Sequence, residues 1–449
     1  METVHILHTN DLHSHLENWP MIARFLNDRR AAYQTAGQTV LTFDIGDFID
    51  RVHPLTEATL GLANIELRNQ VAYDAVTIGN NEGLGLSHEA MTQLAQASDA
   101  PILLANMLDM TTDKRPSWAQ PYQIFTTKTG VRIGVIGLTA PYILTYPPLG
   151  WMPLDAVATL KDVLPQVRAQ SDVVVLLSHL GYPVDVVIGE EVAIDVVIGA
   201  HSHHVLPEGE WHNGTLLAAA GRFGDHVGEI TLTLDDGKIQ AAQAIAHPTY
   251  TLDTANADLA QAHAWLVAGE KTLQQQVITT LPRRQTAEDQ AFFALQAMQK
   301  LTGAPAAFVA TGMFVEDLPA GPLTAARLLE SMPHAVHPVK VTLSGADLRA
   351  FVGLTQEWAE YLTTYPMRGM GFRGKLFGQM RWRGMSFGHQ GEIYYAGVLL
   401  EDTKTYELSL LDHYIWIKYF PLLQKQQLDI HMETLLRELM ADYYRSYYG

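Results

Sequence analysis

The sequence predicts an α/β protein, and two observations support this prediction. Short apolar runs alternate with helix-like runs over the first 250 residues, and strands that alternate with helices indicate a layered domain with mainly parallel strands. The strand-like runs are residues 4–7, 40–43, 75–78, 131–138, 173–177, 196–198 and 229–234. The turn sequence Asp235-Asp236-Gly237 then predicts a β-hairpin at the end of this region.

The second observation is a change of pattern after Pro248, which predicts two domains. Residues 1–250 form the first domain. Residues 251–284 form a connecting segment, because 255–276 is rich in Ala, Leu, Glu and Gln and favours a helix. Residues 285–449 form the second domain, which opens with a helical run at 289–300. The tail at 432–444 has helical periodicity and is expected to end in exposed tyrosines.

Composition narrows the classes of function. The 449 residues carry a net charge of −18, which disfavours nucleic acid as a partner, and a membrane partner is not expected either. Cysteine is absent, so disulfides and thiolate zinc sites are excluded. The sequence shows neither an apolar run of 18 residues nor a secretory signal, so we expect a cytoplasmic protein without a transmembrane helix.

Polar side chains of the metal-ligating kind follow five of the predicted strands. Parallel strands bring their carboxyl ends to one edge of a sheet, where ligands bind. Carboxylate and amide oxygens mixed with imidazoles suit two divalent ions. Each segment alone is also typical of an ordinary turn or a core histidine, and only the five together favour metal. The segments are Asp11-Leu12-His13, Gly46-Asp47, Gly79-Asn80, Ser178-His179 and Gly199-Ala200-His201-Ser202-His203.

The order of these motifs resembles the calcineurin-like metallophosphoesterases. Further motifs after residue 300, at 310–312, 321–324 and 341–345, resemble the two-domain 5'-nucleotidase family. The resemblance implies a layered α-β-β-α metallophosphoesterase domain followed by a smaller α+β substrate-recognition domain. It also implies hydrolysis of a nucleotide-like phosphoester or anhydride by a metal-bound hydroxide.

The resemblance also implies two divalent ions, which we expect to be Mn, Zn or Fe. Asp11, His13, Asp47 and His203 would hold the first ion. Asp47 would bridge to the second ion, and the other ligands of that ion would be Asn80, His179 and His201. Glu82 is either a group that orients a ligand histidine or an exposed charge.

The sequence departs from the family pattern at Asn81, where most relatives carry a histidine that assists the leaving group. An amide cannot transfer a proton near pH 7. Three interpretations stay open: Arg51 and His53 act in its place, the natural substrate is an anhydride that needs no proton, or the domain binds nucleotide with little turnover. His53 is equally well explained as a turn residue before Pro54.

The predicted substrate site of the second domain also departs from the family pattern, because an expected arginine after Gly312 is missing. A different basic cluster lies at 367–375, where Arg368 and Arg373 are candidates for phosphate contact and Phe372 for base stacking. Tyr414 is a further aromatic candidate, although aromatic residues in this region also fit a core. Alternative functions are a nucleotide-sugar pyrophosphatase, a 2',3'-cyclic phosphodiesterase and a nucleotide-binding module.

Overall fold

The structure is a computed structural model that describes residues 1–366 and 373–449. The chain divides into two compact units, Met1–Gly269 and Glu270–Gly449. The boundary falls inside the helix predicted at 255–276, which the structure places at Asn256–Gln275. Among the described helices, none has both the length and the apolar composition that crossing a membrane requires.

Unit 1 lies wholly within the described residues and contains two large sheets. The strands of unit 1 are β1 (Glu2–Thr9), β2 (Thr39–Asp44), β3 (Ala75–Val76), β4 (Ile102–Leu103), β5 (Met107–Asp109), β6 (Ala119–Gln120), β7 (Tyr122–Thr126), β8 (Arg132–Thr139), β9 (Trp151–Pro153), β10 (Val173–His179), β11 (Val196–Gly199), β12 (Glu210–His212), β13 (Thr215–Ala219), β14 (His226–Asp235) and β15 (Lys238–Pro248). The helices are α1 (Trp19–Thr35), α2 (Pro54–Thr59), α3 (Leu62–Arg68), α4 (Asn80–Gly85), α5 (His88–Gln96), α6 (Ala156–Arg168), α7 (Tyr182–Glu191) and α8 (Asn256–Gln275).

The two sheets of unit 1 have the orders β15-β14-β1-β2-β3-β4-β6 and β12-β13-β11-β10-β8-β7. In the first sheet, β1, β2, β3, β4 and β6 run parallel, and β14 pairs antiparallel with both β1 and β15. In the second sheet, β8, β10, β11 and β13 run parallel, and the edge strands β7 and β12 are antiparallel. The predicted hairpin joins β14 to β15, where Asp236 and Gly237 both have positive φ. This result confirms the predicted α/β fold class.

The core of unit 1 explains its layers. Apolar side chains such as Ile6 and Phe43 from one sheet meet Val135 and Val175 from the other in a single buried cluster. A second cluster lies on the other face of the β8–β10–β11 sheet and includes residues of α6 and α7. The buried face of α1 carries Trp19, Ile22 and Leu26. These contacts produce helix, sheet, sheet and helix layers, as expected when apolar sheet faces must be covered.

Within its described residues, unit 2 contains a five-stranded sheet whose strands, in spatial order, are Met380–Arg383, Ala306–Ala310, Thr405–Leu411, Pro338–Ser344 and Gln427–Ile430. The strands of unit 2 are β16 (Val277–Leu281), β17 (Ala306–Ala310), β18 (Gly321–Thr324), β19 (Pro338–Ser344), β20 (Met380–Arg383), β21 (Met385–Phe387), β22 (Ile393–Tyr395), β23 (Val398–Leu399), β24 (Thr405–Leu411) and β25 (Gln427–Ile430). The helices are α9 (Ala287–Thr302), α10 (Ala325–Ser331), α11 (Gly345–Glu357), α12 (Ala359–Thr364), α13 (Asp412–Trp416) and α14 (Leu436–Tyr448).

Two helices of unit 2 show how the local sequence sets their bounds. The predicted run at 289–300 lies inside α9, which begins with a Thr286–Asp289 capping box and ends at Gly303 with positive φ. The predicted helical tail corresponds to α14. The prediction of exposed tyrosines there is wrong for Tyr444, which is buried with its ring centroid 5.2 Å from that of Phe293.

Candidate metal centre

The ligand-type side chains of the first sheet come together because the strand register brings two loops to one edge. Thr9 at the end of β1 pairs with Asp44 at the end of β2, so Asp11 and Asp47 follow at the same level. The Asp11 N–H donates to Gly46 O at 2.9 Å, and the His13 N–H donates to Asp47 O at 2.9 Å. These bonds tie the two loops together.

The backbone of this centre is strained. Positive φ occurs at five of the candidate ligands, none of which is glycine: Asp11, His13, Asp47, His201 and His203. Such conformations cost about 1–3 kcal/mol each and persist where the surrounding structure holds them. The backbone of His201, for example, is stabilised by Asp11, because its N–H donates to both Asp11 carboxylate oxygens at 3.1 Å. Strain of this kind is concentrated where side chains must be aimed at a common point.

The first cluster of side chains consists of Asp11, His13 and His203. The Nε2 atoms of the two histidines lie 3.0 Å apart. Asp11 Oδ1 lies 3.7 Å from His13 Nε2 and 3.6 Å from His203 Nε2. Both histidines therefore turn Nε2 toward the carboxylate, and these three residues can share one cation.

The second cluster consists of Asp47, His179 and His201. Asp47 Oδ2 lies 3.4 Å from His179 Nε2 and also 3.7 Å from His13 Nε2 in the first cluster. One carboxylate oxygen thus faces both clusters. This placement is what a bridging ligand between two ions requires.

The outer ring nitrogens of this cluster are occupied, which leaves the inner nitrogens for an ion. His179 Nδ1 donates to Ile45 O at 2.7 Å, so in the neutral imidazole Nε2 carries the lone pair. His201 Nε2 lies 3.0 Å from the Tyr142 hydroxyl, which leaves Nδ1 for an ion. Such outer partners fix the tautomer and orientation of ligating histidines.

Asn80 supplies a direct test of whether these residues fit a metal. Its side-chain oxygen is buried and has no hydrogen-bond partner among the described residues. Its amide nitrogen donates to Asn81 Oδ1 at 3.1 Å, so the oxygen is the free end. A buried acceptor without a donor is costly unless a cation uses it. The donor set of carboxylate, amide and imidazole therefore fits divalent ions.

Charges in the centre also favour bound cations. Burial opposes ionisation of His179, but the adjacent Asp47 carboxylate outweighs burial and raises the pKa of His179 to about 10. Burial, together with the nearby Asp47 charge, raises the pKa of Asp11 to about 7. Burial lowers the pKa of His201 to about 4, so this imidazole is neutral at pH 7. Two close carboxylates thus stabilise positive charge, and a neutral imidazole offers a lone pair.

Glu82 holds the backbone of the centre rather than orienting a histidine. Its carboxylate accepts the backbone N–H groups of residues 47–49 and of Gly79 at 2.8–3.2 Å. The side chain is buried, so the alternative of an exposed charge is wrong. Because these donors flank Asp47 and Asn80, Glu82 joins two of the ligand-bearing loops.

Asn81, at the position where relatives carry a histidine, contacts three candidate ligands. Its amide nitrogen lies 2.9 Å from His13 Nδ1, its oxygen accepts from Asn80, and its backbone N–H donates to Asp47 Oδ1 at 2.7 Å. Neither atom of its amide is a proton donor to a leaving group. These contacts suit Asn81 to positioning the ligands, and its catalytic role stays a prediction.

Arg51 and His53 have other partners. The Arg51 guanidinium donates to both Glu57 carboxylate oxygens, at 2.8 and 3.0 Å. His53 caps α2, where its Nδ1 accepts from the Leu55 N–H at 3.2 Å. Burial lowers the pKa of His53 to about 4, so it is neutral at pH 7. Their catalytic roles stay predictions.

The substrate residues predicted for the second domain are only partly described. Arg368 and Phe372 lie outside the described residues. The Arg373 backbone N–H donates to His334 Nδ1 at 2.8 Å. Tyr414 is fully buried in unit 2, where its hydroxyl accepts from the Ala310 N–H at 2.8 Å. The structure therefore places Tyr414 in a core, and its substrate role stays a prediction.

Two residues of the centre were not predicted from the sequence: Tyr142, beside His201, and Arg222, beside His203. Each follows the end of a strand, β8 or β13, and this is the same positional signal that identified the ligands. That signal identifies a metal ligand only when the residue type commonly binds metal, and tyrosine and arginine are not such types.

Comparison with known proteins agrees with this geometry. The family model of calcineurin-like phosphoesterases matches residues 4–205. The uncharacterized metallophosphoesterase YunD of Bacillus subtilis is 34% identical over 465 residues, which cover 98% of this chain and 98% of that protein. The 5'-nucleotidase of Bos taurus is 27% identical over 266 residues, which cover 55% of this chain and 45% of that protein. The solved structure of Haemophilus influenzae NAD nucleotidase has a TM-score of 0.71 at 16% identity and covers 100% of this chain and 97% of its own, which shows a shared fold.

The fold and the two clusters of ligand-type side chains define a metal-dependent phosphoester hydrolase. The chain belongs to the calcineurin-like metallophosphoesterases, and its relatives and structural neighbours are two-domain proteins of the 5'-nucleotidase family. Enzymes of this family use divalent metals, and the side chains that can hold them are those described above.

Proposed function

We propose that the chain is a dimetal phosphohydrolase that acts on nucleotide-like phosphoesters or anhydrides. The observation that carries this proposal is the position of Asp47, whose Oδ2 lies within 3.7 Å of one cluster's histidine and 3.4 Å of the other's. A single carboxylate facing both clusters supports two ions side by side. Such an arrangement suits the binding of a phosphoryl group between them.

The chain's own residues have distinct roles in this proposal. Asp11, His13 and His203 hold the first ion, and Asn80, His179 and His201 hold the second, with Asp47 shared. When bound, the ions would supply Lewis acidity and lower the pKa of a water molecule. Asn81 and Glu82 keep the ligands in position. We expect Mn, Zn or Fe, because imidazole and oxygen donors are mixed in this set.

Nucleotide-like substrates are favoured by the relatives, since the Bos taurus protein that aligns with 55% of this chain is named a 5'-nucleotidase. We therefore assign the chain to nucleotide catabolism and to a small-molecule substrate. Recognition of the base and sugar is assigned to unit 2 and its basic segment, which includes Arg368, Phe372 and Arg373. Tyr414, which is buried in unit 2, is retained only as a sequence-based candidate.

A second candidate function is pyrophosphate cleavage, as in a nucleotide-sugar pyrophosphatase. Asn81 favours it, because an anhydride leaving group departs without a proton while an alkoxide needs one. A 2',3'-cyclic phosphodiesterase is a related alternative. A nucleotide-binding module with little turnover is disfavoured, because the sequence keeps all seven predicted ligand residues and a binding module has no chemical need of them.

The test is a substrate screen of the metal-free protein reloaded separately with Mn, Zn and Fe. The substrates are nucleoside mono-, di- and triphosphates, nucleotide sugars, cyclic nucleotides and an activated aryl phosphate. We expect turnover that a chelator abolishes and metal restores. Nucleotide binding without hydrolysis of any substrate, under every metal, would contradict the proposal and favour the binding module.

A further inference from the structure

Arg222 is a basic residue at the edge of the metal centre that has no place in the proposed ligand set. It follows β13, and its Nη1 lies 3.3 Å from His203 Nδ1. The guanidinium carbon lies 4.4 Å from the centroid of the Phe223 ring. The side chain is exposed, so the positive charge faces both solvent and the first cluster.

The turn that carries Arg222 is held firmly. The Phe223 N–H donates to Asp11 O at 2.7 Å, although Phe223 is not glycine and has a φ of 61°. Asn10 Nδ2 donates to Gly221 O at 2.7 Å. Asn18 Nδ2 donates to Phe223 O at 2.9 Å. These bonds anchor the turn to the segment that supplies the ligands of the first ion.

Arg222 also has no carboxylate partner at ion-pair distance among the described residues. Five of the eight other arginines of unit 1 pair with an aspartate or glutamate: Arg24, Arg30, Arg51, Arg132 and Arg168. The remaining three have neutral acceptors instead: Arg29, Arg68 and Arg115. Arg222 differs from those three arginines because it contacts a candidate metal ligand, His203. Its charge is available to an external anion.

Metal loading would release Arg222 from its present contact. An ion on His203 Nε2 takes the lone pair of that atom, so the imidazole proton must be on Nδ1. A protonated Nδ1 cannot accept a hydrogen bond from the guanidinium. The N–H groups of Arg222 then lose their acceptor next to the first ion. A guanidinium matches the geometry of phosphate oxygens and can donate to two of them.

We propose that Arg222 is a substrate-binding residue that donates hydrogen bonds to the phosphoryl oxygens of the substrate at the first metal site. The inference rests on the proposed phosphohydrolase function and adds to it a cationic contact supplied by unit 1 itself. The ligand class is a tetrahedral phosphoryl anion, whether in the substrate or as the inorganic phosphate product.

The experiment measures binding of inorganic phosphate to the full-length, Mn-loaded protein by calorimetry, with Mn content determined in parallel. Arg222→Gln should weaken phosphate binding on the order of tenfold while Mn content is unchanged. The phosphate affinity of Arg222→Lys should lie between those of Arg222→Gln and the parent, because lysine keeps the charge but lacks the planar guanidinium that donates to two oxygens. The matched control is Arg132→Gln, which changes an exposed arginine at the N-terminal end of β8. This variant should bind phosphate like the parent.

Two outcomes would overturn the inference alone while the parent remains an active, phosphate-binding enzyme. One is equal phosphate affinity in Arg222→Gln and the parent. The other is a loss of Mn in Arg222→Gln without a change in phosphate affinity per loaded site, which would mean that Arg222 positions His203. Failure of the Mn-loaded parent itself to bind phosphate or hydrolyse any phosphoester would instead overturn the proposed function, and the role of Arg222 with it.

Discussion

The side-chain amide of Asn81 lies 2.9 Å from Nδ1 of His13, so the residue at the family's proton-donor position is bonded to a candidate metal ligand. An amide has both a donor and an acceptor, and it can therefore support either tautomer of His13. It cannot protonate a leaving group. Asn81 thus links the geometry of the first cluster to the choice of substrate.

The first prediction follows from this missing proton donor. A plot of log kcat/KM against leaving-group pKa should be steep for the parent, with anhydrides and nitrophenyl esters cleaved faster than alkyl esters. Asn81→His should flatten the plot, because an imidazolium can donate a proton. If His53 already serves as the acid, the parent plot is shallow and His53→Ala steepens it. A shallow slope in all three proteins would contradict both ideas.

The second prediction concerns Tyr142, whose hydroxyl lies 3.0 Å from His201 Nε2. Removing this outer partner in Tyr142→Phe should weaken binding of the second Mn ion by about tenfold, the lower end of the usual effect. Calorimetric titration of metal-free protein measures this affinity. Tyr250→Phe is the matched control, because Tyr250 is 86% exposed. Equal Mn affinity in parent and Tyr142→Phe would show that the hydroxyl does not orient His201.

The third prediction concerns Glu82, which accepts backbone N–H groups from residues 47–49 and Gly79. In Glu82→Gln, an NH₂ group would face some of these donors and leave them unsatisfied. We expect a loss of about 3 kcal/mol in the free energy of unfolding and a lower metal content. Urea unfolding measures the loss. Glu89→Gln, at an exposed position of α5, should change stability little, and an equally small change in Glu82→Gln would refute the assignment.

Features that depend on neighbouring residues in the chain could be predicted from the sequence, and features that depend on contacts between distant segments could not. Asp11 and Asp47 follow strands of one sheet, and His179, His201 and His203 lie at the ends of strands of the other. Strand direction predicts that the ligands of each sheet meet at its edge. The meeting of the two sets depends on how the sheets pack.

The role of Glu82 was not predictable, because three of its four backbone donors, residues 47–49, lie on a loop 33–35 residues earlier in the chain. Tyr142 and Arg222 also follow strands, but neither is a common metal ligand, and their contacts with His201 and His203 depend on how separate loops fold over the centre.

The second unit was harder to predict in detail. Its motifs resemble those of the family and predicted its fold class. The exposure of an aromatic residue, however, depends on packing that sequence periodicity does not specify. Tyr414 and Tyr444 are both buried, although the first was a substrate candidate and the second was expected to be exposed. The helices α9 and α14 were predictable because capping residues and apolar spacing are local signals.

The fourth prediction is a pH dependence that arises from Asp185. Burial raises the pKa of this carboxyl to about 7, although the Ser178 hydroxyl donates to it. In the unfolded chain its pKa is about 3.9. The folded state therefore holds the proton more tightly, and this contribution to stability is present below about pH 4 and lost as the pH rises to about 7.

Asp185→Asn should remove this decline, because an amide does not ionise in this range. The difference in unfolding free energy, variant minus parent, should rise from pH 4 to 7 and level off above pH 7. Denaturant unfolding at several pH values measures it, and Asp236→Asn in the exposed β14–β15 turn is the control. A difference that does not change with pH would refute the raised pKa.

The central claim, that Asp47 joins two metal ions in one hydrolytic centre, is tested most directly by elemental analysis. The parent and Asp47→Asn are each reloaded with Mn, freed of excess metal and assayed on an activated aryl phosphate. The account predicts two ions per chain and turnover in the parent, and fewer ions without turnover in Asp47→Asn. Two ions per chain in an Asp47→Asn protein that still hydrolyses the substrate would contradict it.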